Sequence, residues 1–378
     1  MYMEFETFSP LTAVLSNRKR VFDFINSKDG TSKQELSDTL NLSMPTVTQC
    51  LKDLTAKGLI QRSGYYMSTG GRKAGIITAV PKARIAIGVE MLQQSVKITA
   101  IDLSGESLKE AFYQQDFSPT EEYFKMLGDL INAFADSLNL PDSLFLGVGI
   151  AVQGLVSHDG ETIINGDILN YSGTKRAAFQ KNIRLPCRLF HDTEVAAFAE
   201  IWHRDNIKNA VYIALNRNLG GALIIGGEVY LGDVLGGCII EHMRLIPDGR
   251  PCYCGQKGCM EAYCSVSSLE KKAGMDVDTF FRRIEEGSAV HKALFDEYLG
   301  YLALAINNIR MVIDCKVILG GFLQSYLTED HFRQLEKLTR EQSPFDSTNF
   351  SFQKSVYGKD AAARGAALVL INDFINKL

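Results

Sequence analysis

The chain has 378 residues, a hydrophobic fraction of 46%, a charged fraction of 22% and a formal net charge of −4. This length exceeds the size at which a single core stops growing, so at least two domains are expected, and the composition argues against a disordered chain. The first residues, MYMEFETFSP, lack a basic region followed by an apolar run, and no apolar stretch is long enough to span a membrane. Eight cysteines without an export signal indicate thiols or metal ligands of a cytoplasmic protein rather than a disulfide framework.

The charge is divided unevenly along the chain. Residues 1–80 hold 10 Lys+Arg and 7 Asp+Glu, whereas the remaining residues hold 30 and 37. A basic first segment on an acidic body is typical of a polyanion-binding module attached to a second domain. The same excess of basic residues also occurs on ordinary solvated surfaces, so a sequence motif is needed to identify a polyanion-binding module.

The first eighty residues predict three short helices. The first contains Val21, Phe22, Phe24 and Ile25 and is expected to end at Gly30. The second and third are expected to begin after serines that cap the free N–H groups of a helix N-terminus. These serines stand at positions 32 and 43 of the sequence.

One face of the third helix is apolar and the other is polar. Val47, Leu51 and Leu54 share the apolar face at about 100° per residue. The polar face contains the candidate DNA contacts Pro45, Thr46, Thr48, Gln49 and Lys52, with Thr46 at its margin.

This succession of elements matches a helix-turn-helix. A short helix, a three-residue turn and a second amphipathic helix with small polar side chains at its start are the parts of that motif. We expect Thr46, Thr48 and Gln49 to contact base edges and Lys52 to contact phosphate. The alternative is a three-helix bundle whose polar face is only solvated.

Two predicted strands, GLIQRSGYY and AGIITAV, follow the third helix. The tip between them, MSTGGRK, carries Arg72 and Lys73 on a Gly-Gly arm, which suits insertion into a narrow minor groove. Residues 1–80 are therefore predicted to form a winged helix-turn-helix domain that binds double-stranded DNA.

From residue 84 onwards, predicted strands alternate with helices. RIAIGVEMLQQSVKITAID predicts a β-hairpin, LFLGVGIAVQG a strand that ends in glycine, and RLFHDTEVAAFAEIWH a strand that runs into a helix. NAVYIALNRNLGGALIIGGEVYLG predicts two more strands. This order predicts an α/β body with its site at the strand ends.

A short loop at residues 242–261 concentrates metal-ligating side chains. Cys252, Cys254 and Cys259 are spaced as C-x-C-x4-C, and His242 stands ten positions before the first of them. Three thiolates and one imidazole are ligands of the type and number that tetrahedral zinc takes. Four protein ligands leave no open position for water, so we predict a structural zinc; a metal-free thiol cluster and a disulfide are the alternatives.

On these motifs the chain resembles the ROK family (repressors, open reading frames and kinases) along nearly its whole length. The order of winged helix-turn-helix, GGRK arm and body is that of the family, and the H-x9-C-x-C-x4-C loop followed by Met-Glu is the most specific element. The resemblance implies an actin/hexokinase-like body at 81–378 for ligand sensing and oligomerisation. Its small lobe would be about 81–190 plus the C-terminal helix, and its large lobe about 191–358.

The resemblance also implies a sugar pocket. Asp192 stands at the position of the catalytic aspartate of the family, although the same residue would also suit a helix cap. Glu261 stands at the position of the second sugar-binding glutamate, and His242 faces both zinc and sugar in relatives.

Two pocket positions depart from the family pattern. His191 replaces an asparagine, and Ile239 replaces a glutamate. We therefore expect a ligand other than a simple hexose, or a pocket whose sensing has drifted. A shift that brings Glu241 inward would restore the carboxylate, but nothing in the sequence supports it.

The phosphate loops distinguish a repressor from a kinase. Family kinases carry D-x-G-G-T and G-T-G-x-G-G, because backbone N–H groups approach phosphate only where no side chain intervenes. Here the matching stretches are 90–94 (EMLQQ) and 216–221 (NRNLGG). We therefore assign no catalytic residue and expect a repressor that responds to a sugar or sugar derivative. The alternative is a sugar kinase with a DNA-binding domain. The third hypothesis is a constitutive DNA-binding protein whose body serves only for oligomerisation. A homodimer or dimer of dimers is expected, since helix-turn-helix proteins read paired half-sites.

Overall fold

The computed structural model describes residues 10–65, 75–204, 206–233, 235–344 and 350–378. The helices are α1 (Pro10–Asn26), α2 (Lys33–Leu40), α3 (Met44–Ala56), α4 (Glu121–Asp136), α5 (Arg176–Gln180), α6 (Asp192–His203), α7 (Glu261–Cys264), α8 (Val266–Ala273), α9 (Val277–Glu285), α10 (Ala289–Val312), α11 (Glu329–Glu341) and α12 (Ala361–Asn376). The strands are β1 (Ile60–Tyr65), β2 (Gly75–Ala79), β3 (Ile85–Met91), β4 (Ser95–Asp102), β5 (Ser107–Gln114), β6 (Phe145–Val152), β7 (Leu155–Val156), β8 (Ile163–Asn165), β9 (Cys187–His191), β10 (Ala210–Ala214), β11 (Gly220–Ile225), β12 (Glu228–Tyr230), β13 (Lys316–Gly320) and β14 (Phe352–Lys354).

Helices α1–α3 and the antiparallel hairpin β1–β2 form the N-terminal unit. Ser32 and Ser43 cap α2 and α3 as predicted. Helix α1 ends at residue 26 instead of Gly30, because the chain must reach β2, where Thr31 exchanges both backbone hydrogen bonds with Ile77 at 2.8 and 3.0 Å. The predicted winged helix-turn-helix is thus present in the described residues, whereas the wing tip with Arg72 and Lys73 lies outside them.

The first sheet of the body has the order β5-β4-β3-β6-β9. Strands β3, β6 and β9 are parallel, and β4 is antiparallel to both neighbours. Side chains alternate along β3, so that Ile87 packs with α4 on one face while Gly88 faces α12 on the other. A Cβ atom on Gly88 would lie 1.8 Å from the carbonyl oxygen of Ala363, so the glycine allows α12 to lie directly on the sheet.

The second sheet has the order β12-β11-β10-β13-β14. Its β10–β12 segment contains three strands where the sequence predicted two, because GGEVY folds back as β12 against β11. One face packs on α8–α11 and their neighbours. The other face packs on α6 and α12, which also contact the first sheet and so lie between the two sheets.

A continuous core joins the N-terminal unit to the body. Phe22 of α1 and Leu54 of α3 belong to the same buried cluster as Leu103, which follows β4, and Ile371 of α12. Asn26 also donates a hydrogen bond from its side chain to the carbonyl of Leu103 at 3.1 Å. The α/β fold class with an N-terminal winged helix-turn-helix is confirmed. Across the described ranges, no helix combines the length and apolar character needed to cross a membrane.

Candidate functional site

The predicted metal ligands converge on one point. The ligand atoms of His242, Cys252, Cys254 and Cys259 all lie within 4.8 Å of one another. The Sγ of Cys252 is 3.7 Å from Nδ1 of His242, and the Sγ atoms of Cys254 and Cys259 are also 3.7 Å apart. A tetrahedron with zinc–sulfur bonds of about 2.3 Å has edges of about 3.8 Å, so these residues fit a metal. The sulfur–sulfur separation is far too long for a disulfide bond.

Backbone contacts inside the loop bring these ligands together. The N–H of Cys252 donates to the carbonyl of Gln256 at 2.8 Å, and the N–H of Gly258 donates to Arg250 at 2.8 Å. Gly258 has φ +79°, and a Cβ atom there would lie 1.7 Å from the carbonyl oxygen of Ile246. Only glycine meets both requirements, which places Cys259 beside the other ligands.

His191 and Asp192 stand where β9 runs into α6. Asp192 accepts hydrogen bonds at Oδ1 from the N–H and hydroxyl of Thr193, at 2.7 and 3.1 Å, and burial raises the pKa of its carboxyl. His191 lies with Nε2 3.4 Å from Asp192 Oδ1 and with Nδ1 3.5 Å from Glu194 Oε1. Burial lowers the pKa of the imidazole, but the neighbouring carboxylates, chiefly that of Glu194, outweigh it and raise the pKa to about 9.

Glu241 directly precedes the metal ligand His242 in the chain. It is the middle residue of a 3₁₀ turn, Ile240–His242, in which Ile240 is buried against Gly221 of β11. Its Oε2 atom is buried and has no hydrogen-bond partner among the residues that the structure describes. The carboxylate is close enough for the charges of His191 and Glu261 to act on it, and burial raises its pKa to about 7.

Glu261 connects the metal loop to the stretch 216–221. Its carboxylate is buried and accepts hydrogen bonds from the N–H of Leu219 at 2.7 Å and from Nδ2 of Asn218 at 3.1 Å. Burial raises the pKa of this carboxyl to about 7. Tyr253, another residue that the sequence analysis missed, packs its exposed ring edge-to-face on His242 with the ring centres 5.2 Å apart.

An open cleft of about 840 Å³ is lined by residues of both stretches 90–94 and 216–218. Lys97 lies in the cleft, 3.5 Å from Oε2 of Glu90 and 3.4 Å from Oδ1 of Asp360. Arg364, also in the cleft, is paired with Glu110 at 2.7 Å. A lysine between the apolar residues Val96 and Ile98 of β4 was the sequence signal that could have identified Lys97.

The polar face of α3 lies in solvent. Pro45, Thr48, Gln49 and Lys52 are exposed and Thr46 is half-buried. The hydroxyls of the two threonines bond locally, Thr46 to Ser43 Oγ at 2.8 Å and Thr48 to the carbonyl of residue 44 at 2.8 Å.

The side chain of Gln49 is held by an intrahelical partner. Its Nε2 donates to Oδ1 of Asp53 at 2.7 Å, and Asp53 in turn lies 3.8 Å from Arg18 of α1. Gln49 would have to leave Asp53 to reach a base.

Comparison with known proteins agrees with this architecture. Residues 86–373 match the ROK family, and residues 16–61 match the winged helix-turn-helix DNA-binding family. A xylose repressor of Bacillus spizizenii is 23% identical over 374 residues, which cover 95% of this chain and 96% of that protein. The DNA-binding transcriptional dual regulator NagC of Escherichia coli is 24% identical over 261 residues, 68% of this chain and 64% of that protein.

Solved structures share the fold. A ROK family transcriptional regulator, a homolog of the E. coli MLC protein, superimposes with a TM-score of 0.78 at 20% identity and covers 97% of each chain. A ROK family glucokinase from Streptomyces griseus, in complex with glucose and AMPPNP, has a TM-score of 0.65 at 20% identity and covers 75% of this chain and 98% of its own. The expected resemblance is confirmed, and because the family match spans most of its length, the chain belongs to the ROK family.

Proposed function

We propose that this chain is a sugar-responsive DNA-binding repressor of carbohydrate-metabolism genes. The observation that carries the proposal is the combination of a helix-turn-helix with an exposed polar recognition face and a kinase-like body whose phosphate stretches bear side chains. Similarity over nearly the whole chain to a protein named xylose repressor supports it. A regulator of this kind acts on chromosomal DNA, and we place it in the cytoplasm for that reason.

The proposed operator contacts are Thr46, Thr48 and Gln49 to bases and Lys52 to phosphate, with Pro45 at the start of the helix. Arg72 and Lys73 of the wing tip are proposed for the minor groove on sequence grounds alone. A two-fold dimer, or a dimer of dimers, would place two copies of α3 on successive half-sites.

The state of the would-be phosphate site supports a binding role over a kinase role. The N–H of Leu92 donates to the carbonyl of Ser95 at 2.9 Å, and the N–H of Leu219 donates to Glu261. Two backbone donors of the stretches that match the phosphate loops are thus already used inside the protein. Lys97 and Arg364 are each neutralised by carboxylates, so these two cleft cations are not free to bind a nucleotide either.

A sugar kinase with a regulatory DNA-binding domain is the second candidate. The retained Asp192, half-buried at the N-terminus of α6, is the observation that favours it, because a kinase needs a base for the sugar hydroxyl. Incubation with ATP and a hexose panel separates the two. Sugar-dependent ADP release above that of an Asp192→Asn control would support the kinase.

We further propose that a structural zinc is held by His242, Cys252, Cys254 and Cys259. Because Nδ1 of His242 lies 3.7 Å from Sγ of Cys252, this nitrogen would bind the metal and leave Nε2 for a ligand. The metal would therefore position one wall of the ligand site, formed by His242 and Glu261, and would supply shape rather than chemistry.

Selection of binding sites from random duplex DNA, followed by band-shift titration with the full chain, tests the main proposal. We expect a defined, two-fold-symmetric site that the protein releases when one sugar of a panel is added. Binding that no sugar changes would favour a constitutive DNA-binding protein. Absence of any preferred sequence would contradict the operator role.

A further inference from the structure

We infer that the open cleft binds an uncharged saccharide of two or more rings, which lies along one face of the first sheet. Glu90 and Gln153 would hydrogen-bond to the ligand, with Glu90 at the inner end of the cleft, and Phe112 would pack against an outer ring. The inference rests on the proposed function, since it specifies the chemical class of the effector. None of these three residues belongs to the sugar positions that the family pattern implies.

One face of strands β3, β4 and β5 forms the floor of the cleft. Helix α12 covers this face at Gly88, where the carbonyl of Ala363 meets the strand. Two positions further along β3, Glu90 stands opposite Lys97 of β4, which stands opposite Phe112 of β5. Directly paired residues of neighbouring strands point to the same face. Glu90, Lys97 and Phe112 therefore form one row in the cleft, from a buried carboxylate to a ring that is 60% exposed.

The inner end of this row contains an unmet hydrogen bond. Glu90 is only 4% exposed, and its Oε2 atom has no hydrogen-bond partner in the described part of the chain. The ammonium group of Lys97 lies 3.5 Å from this oxygen but donates its hydrogen bond to the carbonyl of Lys359. Buried carboxylate oxygens are almost always paired. Because Glu90 lines the cleft, a ligand hydroxyl would supply the missing partner, whether the carboxyl is ionised or protonated.

A second, smaller cavity extends from this end of the cleft to Asp192. Its volume is about 10 Å³, and Glu90, Asn216 and Lys359 line both cavities. A cavity of this size holds about one water molecule. The inner end of the cleft therefore adjoins the aspartate that the family pattern places at the sugar. One ring of the ligand would bind near this end, and the rest would extend over the sheet.

Amide side chains are the commonest polar groups of the lining. Each amide offers both donors and an acceptor, as a sugar hydroxyl does. One of them, Gln153, is 7% exposed and directly follows β6. The amides that line the cleft are Gln93, Gln94, Gln114, Gln153, Asn216 and Asn218.

The pairing of the cleft cations favours an uncharged ligand. Three of these cations already lie within 4 Å of carboxylates of the protein. The pairs are Lys97 with Glu90 and Asp360, Arg217 with Glu270, and Arg364 with Glu110. An anionic ligand would have to break such a pair to gain a cation, whereas hydroxyl groups bond to the amides without breaking one.

The size of the cleft and its exposed ring argue for more than one sugar ring. Pockets for drug-sized ligands have volumes of about 300–1,000 Å³, and this cleft of about 840 Å³ is near the upper end of that range. A single pyranose ring would fill only part of it. The C–H face of a sugar ring is apolar and packs against an aromatic side chain, which Phe112 offers at the outer end of the row.

Isothermal titration of the full chain compares oligosaccharides with the sugars of which they are made. The ligands are xylobiose, xylotriose, cellobiose, maltose, sucrose and N,N′-diacetylchitobiose, together with D-xylose, D-glucose, D-fructose and N-acetylglucosamine. We expect at least one oligosaccharide to bind about tenfold or more tightly than its own monosaccharides. If no oligosaccharide bound more tightly than its monosaccharides, the inference would be wrong, and this comparison needs no variant.

Variants of the row test the residues themselves. Phe112→Ala should weaken binding of the preferred oligosaccharide about tenfold and leave its monosaccharides unchanged, whereas Phe112→Tyr, which keeps the ring, should bind like the parent. Glu90→Gln should weaken binding of both. The matched control is Tyr230→Ala, which removes an exposed ring from β12, an edge strand of the other sheet, and should change neither affinity. Unchanged oligosaccharide affinity in Phe112→Ala, with circular dichroism like that of the parent, would overturn the inference.

The outcomes also separate this inference from the proposed function. A monosaccharide that releases DNA and binds at least as tightly as every oligosaccharide would overturn the inference and leave the repressor standing. Adenosine or ADP that bound more tightly than every saccharide, and lost affinity in Phe112→Ala, would assign the cleft to a nucleoside instead. Failure of every saccharide to bind or to change DNA binding would overturn both the inference and the proposed function.

Discussion

The crossing of α6 and α12 allows a sharp test of the packing, because the two helices nearly touch at Gly365. A Cβ atom on Gly365 would lie 1.8 Å from the carbonyl oxygen and 2.4 Å from the carbonyl carbon of Val195. Real Cβ atoms do not approach closer than 3.0 Å, so Gly365→Ala would force the helices about 1.2 Å apart. Overpacking of this kind costs about 1–3 kcal/mol, and alanine returns at most about 1 kcal/mol of helix propensity.

A matched control exists in α10. A Cβ atom on Gly300 would meet no atom of the described residues within 4 Å, so Gly300→Ala should stabilise the chain by up to about 1 kcal/mol. Relative to the parent, the free energy of unfolding should therefore decrease in Gly365→Ala and increase in Gly300→Ala. Urea unfolding followed by circular dichroism measures this, and for a chain of this length the melting temperature should shift by about 1–2 °C per kcal/mol. If Gly365→Ala were as stabilising as Gly300→Ala, the close crossing would be wrong.

Three further predictions concern DNA, metal and pH. Gln49→Ala should cost about 1–3 kcal/mol on the preferred site and relax specificity, whereas Lys52→Ala should weaken binding to all sequences and flatten the salt dependence; a salt titration on specific and random duplexes distinguishes them. Cys252→Ser should abolish bound zinc, and elemental analysis that finds less than about half a zinc per unmodified chain would contradict the four-ligand site. Burial raises the pKa of the Glu90 carboxyl to about 7, so the folded chain binds a proton at Glu90 more tightly than the unfolded chain does. Protonation therefore stabilises the folded chain at low pH, and this stabilisation is lost as the pH rises from about 4.5 through 7. In urea unfolding, the free energy of unfolding of Glu90→Gln should fall by up to about 3 kcal/mol less between pH 5 and pH 8 than that of the parent. An equal fall in the variant and the parent would show that Glu90 is not buried.

The local elements and the metal cluster could be predicted from the sequence because their signals are local. The apolar spacing of Val47, Leu51 and Leu54 is set by the helical repeat, and all three are buried. The spacing of Cys252 and Cys254 within a glycine-rich loop already limits how far their thiols can separate. The absence of glycine from the stretch 90–94 can likewise be seen in the sequence alone.

The contents of the pocket depended on contacts between distant segments. Nothing in the sequence supported an inward shift of Glu241, and the burial of its Oε2 atom accompanies the packing of Ile240 on β11. In the sequence, Lys97 is only one polar residue of a strand. In the folded chain, β4 lies beside Asp360, which precedes α12, and Lys97 pairs there with a second carboxylate. The hydrogen bonds of Glu261 to residues 218 and 219 join segments more than forty positions apart. Periodicity and spacing act over a few residues, so the sequence by itself determined the helices, the strands and the metal ligands. The partner of each buried charge was decided by tertiary packing, because only tertiary packing brings distant segments together.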